Sequence, residues 1–219
     1  MYVTSGQAPQ DVGFRGERAV DVLWLSHRTE RLQSLVDRIQ YWIKEFRFAS
    51  QFKLEQLGET NHYRVLFSDP STNVEVNLSD VGFGASQLLP IIIECLYYPP
   101  GSLLLMEQPE IHLHPKAQAH LGDLFVEAAK QENRRMMIET HSEHVLARVR
   151  RRIAEGKIER GDVAIYYFEP TPEGSHVREI KLNELGQFEE FPEGFFEEDL
   201  EEAFAHLEAM RERIQRERQ

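Results

Sequence analysis

Three polar residues at the end of a short apolar run are the strongest candidates for chemistry in this sequence. The run Leu103–Met106 is followed directly by Glu107 and Gln108 and, after a proline, by Glu110. Four apolar residues in a row are typical of a buried parallel strand, and open α/β sheets bind ligands at the carboxyl ends of such strands. A carboxylate there is the hard oxygen ligand that Mg²⁺ prefers. The pattern therefore predicts a site that handles a charged ligand.

A loop with two glycines lies upstream of this run and opens an apolar helix. Gly82 and Gly84 belong to the loop, and the helix is predicted to begin at Ser86 and to end near Tyr97. Backbone N–H groups at a helix amino terminus attract phosphate, and the Ser86 hydroxyl adds a further donor. A glycine-containing turn before a helix is by itself more often a simple cap. The loop therefore acquires a function only through its neighbours.

A second apolar run lies downstream and ends near a histidine. Met136–Glu139 predicts another strand, and Thr140, His141 and Ser142 follow it. A histidine after an apolar strand is more often structural. The hydroxyl residues on both sides of His141 favour a functional role here.

In order and spacing, these three segments resemble the ABC-type ATPases of the RecF and OLD (overcoming lysogenization defect) kind. Leu103–Glu107 is similar to the Walker B strand of that family. Leu78–Gln87 resembles its signature loop, and Met136–His144 resembles the segment that carries its switch histidine. The resemblance implies that the cofactors are ATP and Mg²⁺.

The resemblance also implies a role for each residue at the strand ends. Glu107 matches the acidic residue that holds the magnesium shell, and His141 matches the histidine that contacts the γ-phosphate. Gln108 stands where the family has a glutamate that polarises the attacking water. An amide cannot accept the proton of that water, although it can orient the molecule. We therefore expect slow hydrolysis, or the use of Glu110 as the base.

In ABC dimers the signature loop is offered to ATP that is bound on the opposite subunit. Four residues are the candidates for that contact: Gly82, Gly84, Ser86 and Gln87. The two glycines depart from the commonest Leu-Ser-Gly-Gly-Gln spelling, so several registers of the loop remain open. His112 and His114 fall where the family has its D-loop, and His114 is a further candidate for nucleotide binding.

The carboxyl-terminal part carries a second resemblance. Val163–Glu169 and Phe191–Phe196 are similar to the DUF3696 segment that is attached to some of these ATPases. The predicted organisation is a partial ABC-type ATPase domain over residues 1–170 and a DUF3696-like segment over 163–219 packed on it.

The phosphate-binding loop of the family is missing from the sequence. No Gly-x-x-x-x-Gly-Lys-Ser/Thr occurs, and the first residues align beyond the place where that loop would lie. The expectation is that these residues form the second half of an ATPase. The Walker A half would come from a partner protein, from an intertwined homo-oligomer or from a longer chain.

The elements that position these residues predict an α/β fold. It would be a mostly parallel sheet with flanking helices, a partial P-loop NTPase (ABC ATPase head) fold, because strands and helices alternate after residue 86. A hairpin is predicted at 63–67 and 74–78, and residues 1–12 are expected to be a loose lead-in. Helices are predicted at 18–25, 32–46, 86–97, 115–131, 143–153 and 195–213, and further strands at 103–106, 136–139, 163–168 and 177–182.

Two other functions use the same residues. One is a metal-dependent hydrolase with zinc or manganese, for which tight metal retention on dialysis would be the sign. Its six candidate ligands are Glu107, Glu110, His112, His114, His141 and His144. The other is a non-catalytic interaction or assembly protein that retains the ATPase fold, which Gln108 and the missing phosphate loop favour.

Composition limits the partners and the compartment. The formal net charge of −12 argues against general DNA binding, although the cluster Arg148–Arg152 keeps a local DNA contact as an alternative. No apolar run is long enough to span a bilayer, and the amino terminus lacks a signal pattern, so a cytoplasmic protein without membrane contact is expected. Cys95, the single cysteine, is expected to be a buried apolar residue.

Overall fold

A computed structural model describes residues 2–3, 11–29, 32–58 and 62–190. Contacts divide the chain into two units, Met1–Arg152 and Ile153–Gln219. The first unit contains six strands and five helices among its described residues, with α5 ending just past its boundary. They are β1 (Tyr2–Val3), α1 (Ala19–Arg28), α2 (Gln33–Glu45), β2 (Gln51–Gln56), β3 (His62–Ser68), β4 (Glu75–Asn77), α3 (Phe83–Tyr97), β5 (Leu103–Glu107), α4 (Pro115–Gln131), β6 (Arg135–Glu139) and α5 (Glu143–Ala154).

An antiparallel sheet occupies the amino-terminal part of the first unit. Strand β3 pairs with β1, β2 and β4, and all three pairings are antiparallel. The predicted hairpin is confirmed, because β3 and β4 pair across a turn in which Asp69 Oδ1 accepts hydrogen bonds from the Ser71 and Thr72 amides. The prediction of a loose lead-in is wrong at Tyr2–Val3, which pairs with β3, and at Val12, which is buried.

The core lies between the helices and the two sheets of the first unit. Apolar residues of α2 recur at spacings of three and four and therefore lie on one face of the helix. Ile39, Trp42 and Ile43 belong to this face and are buried. Helix α3 is apolar nearly all round, and Leu89 and Ile92 near its middle are buried as predicted. Cys95 at its end is a buried free thiol, which confirms the expectation for that residue.

One residue of α3 makes the stability of this core depend on pH. Burial raises the pKa of Glu94 to about 7. The folded chain therefore holds a proton that the unfolded chain releases near pH 4.3, so this carboxyl lowers stability progressively as the pH rises from about 4.3 to about 7. We expect the unaltered chain to lose about 1–3 kcal/mol relative to Glu94→Gln between pH 4.5 and 8, since the side chain is only partly buried.

Urea unfolding followed by tryptophan fluorescence measures this difference. Both tryptophans, Trp24 and Trp42, lie in the first unit and report on it. A difference between the two proteins that stays constant with pH would show that Glu94 titrates normally.

The prediction of a mostly parallel sheet is not confirmed. Strands β5 and β6 are the single parallel pair among the described residues, and α4 forms the crossover between them. Strand β3 pairs antiparallel with β2 and β4 because short connections join these neighbours in sequence, whereas a parallel pair needs a long connection. The antiparallel pair of β1 and β3 joins strands that are distant in sequence. Helix α4 and strands β5 and β6 lie within one residue of their predicted bounds.

The second unit contains a hairpin. After a short 3₁₀ helix (Arg160–Asp162), β7 (Ile165–Thr171) pairs antiparallel with β8 (Gly174–Ile180). The predicted parallel crossover into residues 163–168 is therefore wrong, because a two-residue turn returns the chain at once and places Gly174 at φ +133°. The helix predicted at 195–213 lies outside the described residues. Within the described part of the chain, no helix has the length and apolarity needed to cross a bilayer.

Candidate nucleotide site

The carboxyl ends of β5 and β6 place two carboxylates side by side. Glu107 and Glu139 are register partners and the last residues of their strands, which lie about 4.8 Å apart in such pairs. Both side chains are exposed. The Gln108 amide N–H extends the ladder by donating to the Glu139 carbonyl oxygen at 2.8 Å. A negatively charged edge with hard oxygen donors results, and such an edge fits Mg²⁺.

Gln108 bends the chain away from the sheet. Its φ of +47° lies in the left-handed region, which is uncommon for a residue other than glycine. Its side-chain Nε2 donates to Glu139 Oε1 at 3.3 Å. His112 in the same loop also has a left-handed φ, +63°. Unfavourable backbone geometry of this kind tends to cluster at functional sites.

Glu139 is a residue that the sequence reasoning did not select. The signal was available, since Glu139 ends the second predicted strand just as Glu107 ends the first. The structure makes Glu139 a neighbour of both Glu107 and Gln108.

The residue nominated as an alternative base, Glu110, lies beneath the surface. It is 5% exposed. Its Oε1 accepts a hydrogen bond from the His141 backbone N–H at 2.6 Å, and its Oε2 is buried with no protein hydrogen-bond partner in the part of the chain that the structure describes. The loop after β5 and the loop after β6 are therefore joined directly.

The segment around His141 is fixed by several further hydrogen bonds. Ser142 Oγ donates to Gln118 Oε1 of α4 at 2.7 Å and accepts from the Val145 amide at 3.1 Å, which caps the start of α5. Thr140 Oγ1 accepts from the Ser142 amide at 3.0 Å. The side chain of His141 is exposed. The backbone of this loop is thus anchored while its imidazole faces solvent.

The other D-loop candidate has a structural contact of its own. His114 precedes Pro115 at the start of α4, and its Nδ1 accepts a hydrogen bond from the Lys116 amide at 3.3 Å. The ring is exposed beside this cap. It therefore lies at a helix amino terminus, although its contact with a nucleotide stays a prediction.

The signature-like loop begins its helix earlier than expected. Helix α3 starts at Phe83, with Gly82 as the residue before its first turn, so Gly84, Ser86 and Gln87 lie within the first turns. The predicted start at Ser86 is corrected by three residues, because a glycine costs little at a helix start where few intrahelical bonds depend on it. A Cβ at Gly84 would lie 3.0 Å from the His112 carbonyl oxygen. The close approach brings this loop against the loop after β5.

The metal-hydrolase ligand set is not assembled. Among the described residues, no group of three or more His, Cys, Asp or Glu side chains is placed to hold a metal ion. Two of the six residues proposed as ligands have other contacts. Glu110 Oε1 is engaged by the His141 amide, and the His114 ring caps α4.

The arginine cluster of α5 is partly used within the first unit. Arg148 and Arg152 both pair with Asp123 of α4, the second through Nε at 2.6 Å from Oδ1. Arg150 is half-buried, and its burial lowers the pKa of the guanidinium. The interhelical pairing of these side chains reduces the basic surface available to DNA.

One face of the β5–β6 pair is open. Its members alternate with buried residues in β5 and with half-buried residues in β6. Three of them are apolar side chains, Leu103, Leu105 and Met137, which are 56%, 65% and 69% exposed. We call this the open face, which comprises Leu103, Leu105, Glu107, Arg135, Met137 and Glu139. Parallel strands are normally covered on both sides.

Comparison with known families identifies the class of protein. The model of the AAA ATPase domain family matches residues 22–146, more than half of the chain. The chain belongs to the AAA ATPase domain family. A second model, DUF3696, a protein family of unknown function, matches residues 158–205. No match was found among curated proteins.

Solved structures of SMC ATPases are similar in outline. One, from work on ATP-driven dimerization and DNA-stimulated activation of SMC ATPases, is 13% identical with a TM-score of 0.45, covering 82% of this chain and 96% of the other. A Pyrococcus furiosus Smc head domain with an extended coiled coil, bound to the C-terminal domain of ScpA, is 13% identical with a TM-score of 0.47, covering 90% and 44%. An SmcHead bound to the C-winged helix domain of ScpA has 13% identity and a TM-score of 0.45, covering 69% and 45%. This chain thus spans less than half of the last two. Such loose similarity assigns no residue and no partner.

Proposed function

We propose that this chain is an ATP-binding and slowly hydrolysing component of an ATPase related to the RecF and OLD proteins. Membership of the AAA ATPase domain family supports the nucleotide. The observation that supports the site most directly is the joining of the two strand-end loops, through Gln108 to Glu139 and through Glu110 to His141. A role in phage defence or DNA repair is part of the proposal.

The residues at the strand ends have distinct roles in this proposal. Glu107 holds the water shell of Mg²⁺, which when bound would neutralise phosphate charge. His141 directs its exposed imidazole at the γ-phosphate. Gln108 orients the attacking water, and its hydrogen bond to Glu139 fixes the side-chain amide. Because the amide cannot accept a proton, hydrolysis is slow.

Two further parts of the proposal concern polypeptide outside these residues. The phosphate loop comes from a segment that is not among the 219 residues, and this segment covers the apolar part of the open face. Ser86 and Gln87, with Gly82 and Gly84, contact the nucleotide bound by a second subunit. Within this scheme residues 1–170 form the ATPase part and 163–219 an appended DUF3696-like segment.

A second function is favoured by two specific observations. Gln108 replaces the expected base, and the open face exposes three apolar side chains. Both are consistent with an assembly protein that keeps the ATPase fold for binding another polypeptide and has no turnover of its own.

Calorimetric titration with ATP and Mg²⁺, performed on this chain together with the segment that supplies the phosphate loop, distinguishes the two functions. We expect saturable binding that is lost in Glu107→Ala and when a chelator removes the metal, because a carboxylate is needed to hold the metal shell. The matched control is Glu173→Ala, which removes an exposed carboxylate from the β7–β8 turn and should bind normally.

Two other outcomes of this titration would each contradict part of the proposal. Unchanged binding in Glu107→Ala would contradict the metal role of that residue. Absence of binding by the unaltered chain in the presence of that segment would favour the assembly function.

A further inference from the structure

Glu110 connects two loops that are remote in sequence. It lies in the loop after β5, yet its Oε1 accepts a hydrogen bond from the backbone N–H of His141, 31 residues away, with an N–O distance of 2.6 Å. Hydrogen bonds to a charged acceptor are short and about twice as strong as neutral ones. The exposed His141 is therefore held through its main chain by a buried carboxylate.

The second oxygen of this carboxylate is unusual. Glu110 Oε2 is buried and has no protein hydrogen-bond partner among the described residues. A buried polar atom without a partner lowers stability, and such atoms in folded proteins call for an explanation in terms of function or a bound group. A side chain selected only for packing would have no such atom. The cost is consistent with a carboxylate retained for what Oε1 does.

The hydrogen bonds next to His141 reinforce the same restraint. Ser142 Oγ donates to Gln118 Oε1 at 2.7 Å, and Gln118 Nε2 donates to the Leu113 carbonyl oxygen at 3.0 Å. Gln118 thereby links the residue after His141 back to the same loop that contains Glu110. The loop after β6 is thus held to the loop after β5 directly through the His141 main chain and indirectly through the Ser142 side chain and Gln118.

We propose that Glu110 is a positioning residue that fixes the His141 main chain so that the imidazole is presented at the edge of the β5–β6 pair. The target of the imidazole, a nucleotide phosphate, rests on the function proposed above. The positioning itself does not rest on it. A movement of the loop after β5 is transmitted to His141 through this one hydrogen bond and the Gln118 contact. Because Glu110 Oε1 is engaged by the His141 amide and Oε2 is buried, Glu110 acts through His141 and does not act as the base.

Amide hydrogen exchange, resolved by NMR, tests the positioning without ATP. In Glu110→Ala we expect the His141 amide to exchange about 10- to 100-fold faster, which is the effect of losing a hydrogen bond to a charged group. Glu110→Gln keeps an acceptor oxygen and should retain intermediate protection. Glu107→Ala removes an exposed carboxylate from the same strand end and is the matched control, with unchanged exchange at His141.

Three results would overturn the proposal. One is unchanged His141 exchange in Glu110→Ala, and another is equally fast exchange in the alanine and glutamine variants. The third is faster exchange at His141 in the Glu107→Ala control. The Ile39 amide in the buried part of α2 reports global unfolding. If exchange at the Ile39 amide is also faster in Glu110→Ala, that variant is globally destabilised and Glu110→Gln becomes the deciding test. Loss of His141 protection in Glu110→Gln while Ile39 stays protected would contradict the positioning role of Glu110.

A turnover measurement separates this inference from the proposed function. Where ATP is hydrolysed, Glu110→Ala should lower kcat about tenfold with KM little changed, since it acts on a group that contacts the γ-phosphate in the transition state. A change in KM alone would contradict positioning. Failure of the unaltered chain to bind ATP with the phosphate-binding segment present would overturn the function, whereas the amide exchange result would still decide the role of Glu110.

Discussion

Replacing Gln108 by glutamate is expected to accelerate ATP hydrolysis by about 10²- to 10⁴-fold, the contribution of a positioned general base. Gln108 follows β5 directly, and its side-chain amide already reaches Glu139 Oε1 at 3.3 Å. A carboxyl at this position would lie beside the Glu139 carboxylate, and like charge raises a carboxyl pKa towards the range that suits a base near neutral pH. The measurement is phosphate release at saturating ATP and Mg²⁺, with the phosphate-binding segment present.

The matched control makes the same chemical change at a distance. Gln131→Glu introduces a carboxylate at the exposed end of α4 and should leave the rate unchanged. An unaltered or lower rate in Gln108→Glu would show that Gln108 does not occupy the position of the base.

Replacing Arg134 by alanine is expected to destabilise the first unit by about 3–5 kcal/mol, because two buried hydrogen bonds from a charged donor are lost, at about 1.5–3 kcal/mol each. Arg134 is buried just before β6 and donates to the Cys95 and Leu96 carbonyl oxygens at the end of α3, at 3.4 and 3.3 Å. These carbonyls lie where a helix has no intrahelical donors left. The side chain thus ties the signature-like helix to the strand that leads to His141.

The neighbouring residue provides the control for this change. Arg135→Ala removes an exposed arginine at the start of β6 and should alter stability by less than about 0.5 kcal/mol. Urea unfolding followed by the fluorescence of Trp24 and Trp42 measures both variants in the first unit. Equal midpoints for the two variants would show that the Arg134 contacts do not contribute to stability.

Local patterns predicted the segment from β5 to α5 closely. The apolar run of β5, the proline at the start of α4 and the helical periodicity of α5 each depend on residues near one another in sequence. Pairing was predicted less well. Strand β2 alternates exposed and buried residues only briefly, which makes its pairing hard to predict. The chain reverses directly after β7, so the partner of β7 is determined by that turn and not by the apolar pattern of the strand.

The candidate site shows the same division. Residue type and strand position singled out Glu107, Gln108 and His141. Glu139 escaped because its importance comes from register with Glu107 across a pair of strands. The burial of Glu110 and its contact with His141 bridge 31 residues of chain, and no local pattern encodes such a contact.

The sequence alone therefore determined which segments are strands and helices around the site, and which side chains end those strands, because periodicity and capping are local properties. The order and spacing of three segments also indicated an ATPase family, which the match to the AAA ATPase domain family confirms, whereas the relation to the RecF and OLD proteins stays a prediction. The tertiary structure alone decided that β5 and β6 form a parallel pair of strands while the other described strands pair antiparallel. It also decided that Glu110 is buried under His141 and that one face of the β5–β6 pair is open. Those features depend on which surfaces meet when distant parts of the chain pack, and packing is a property of the whole fold.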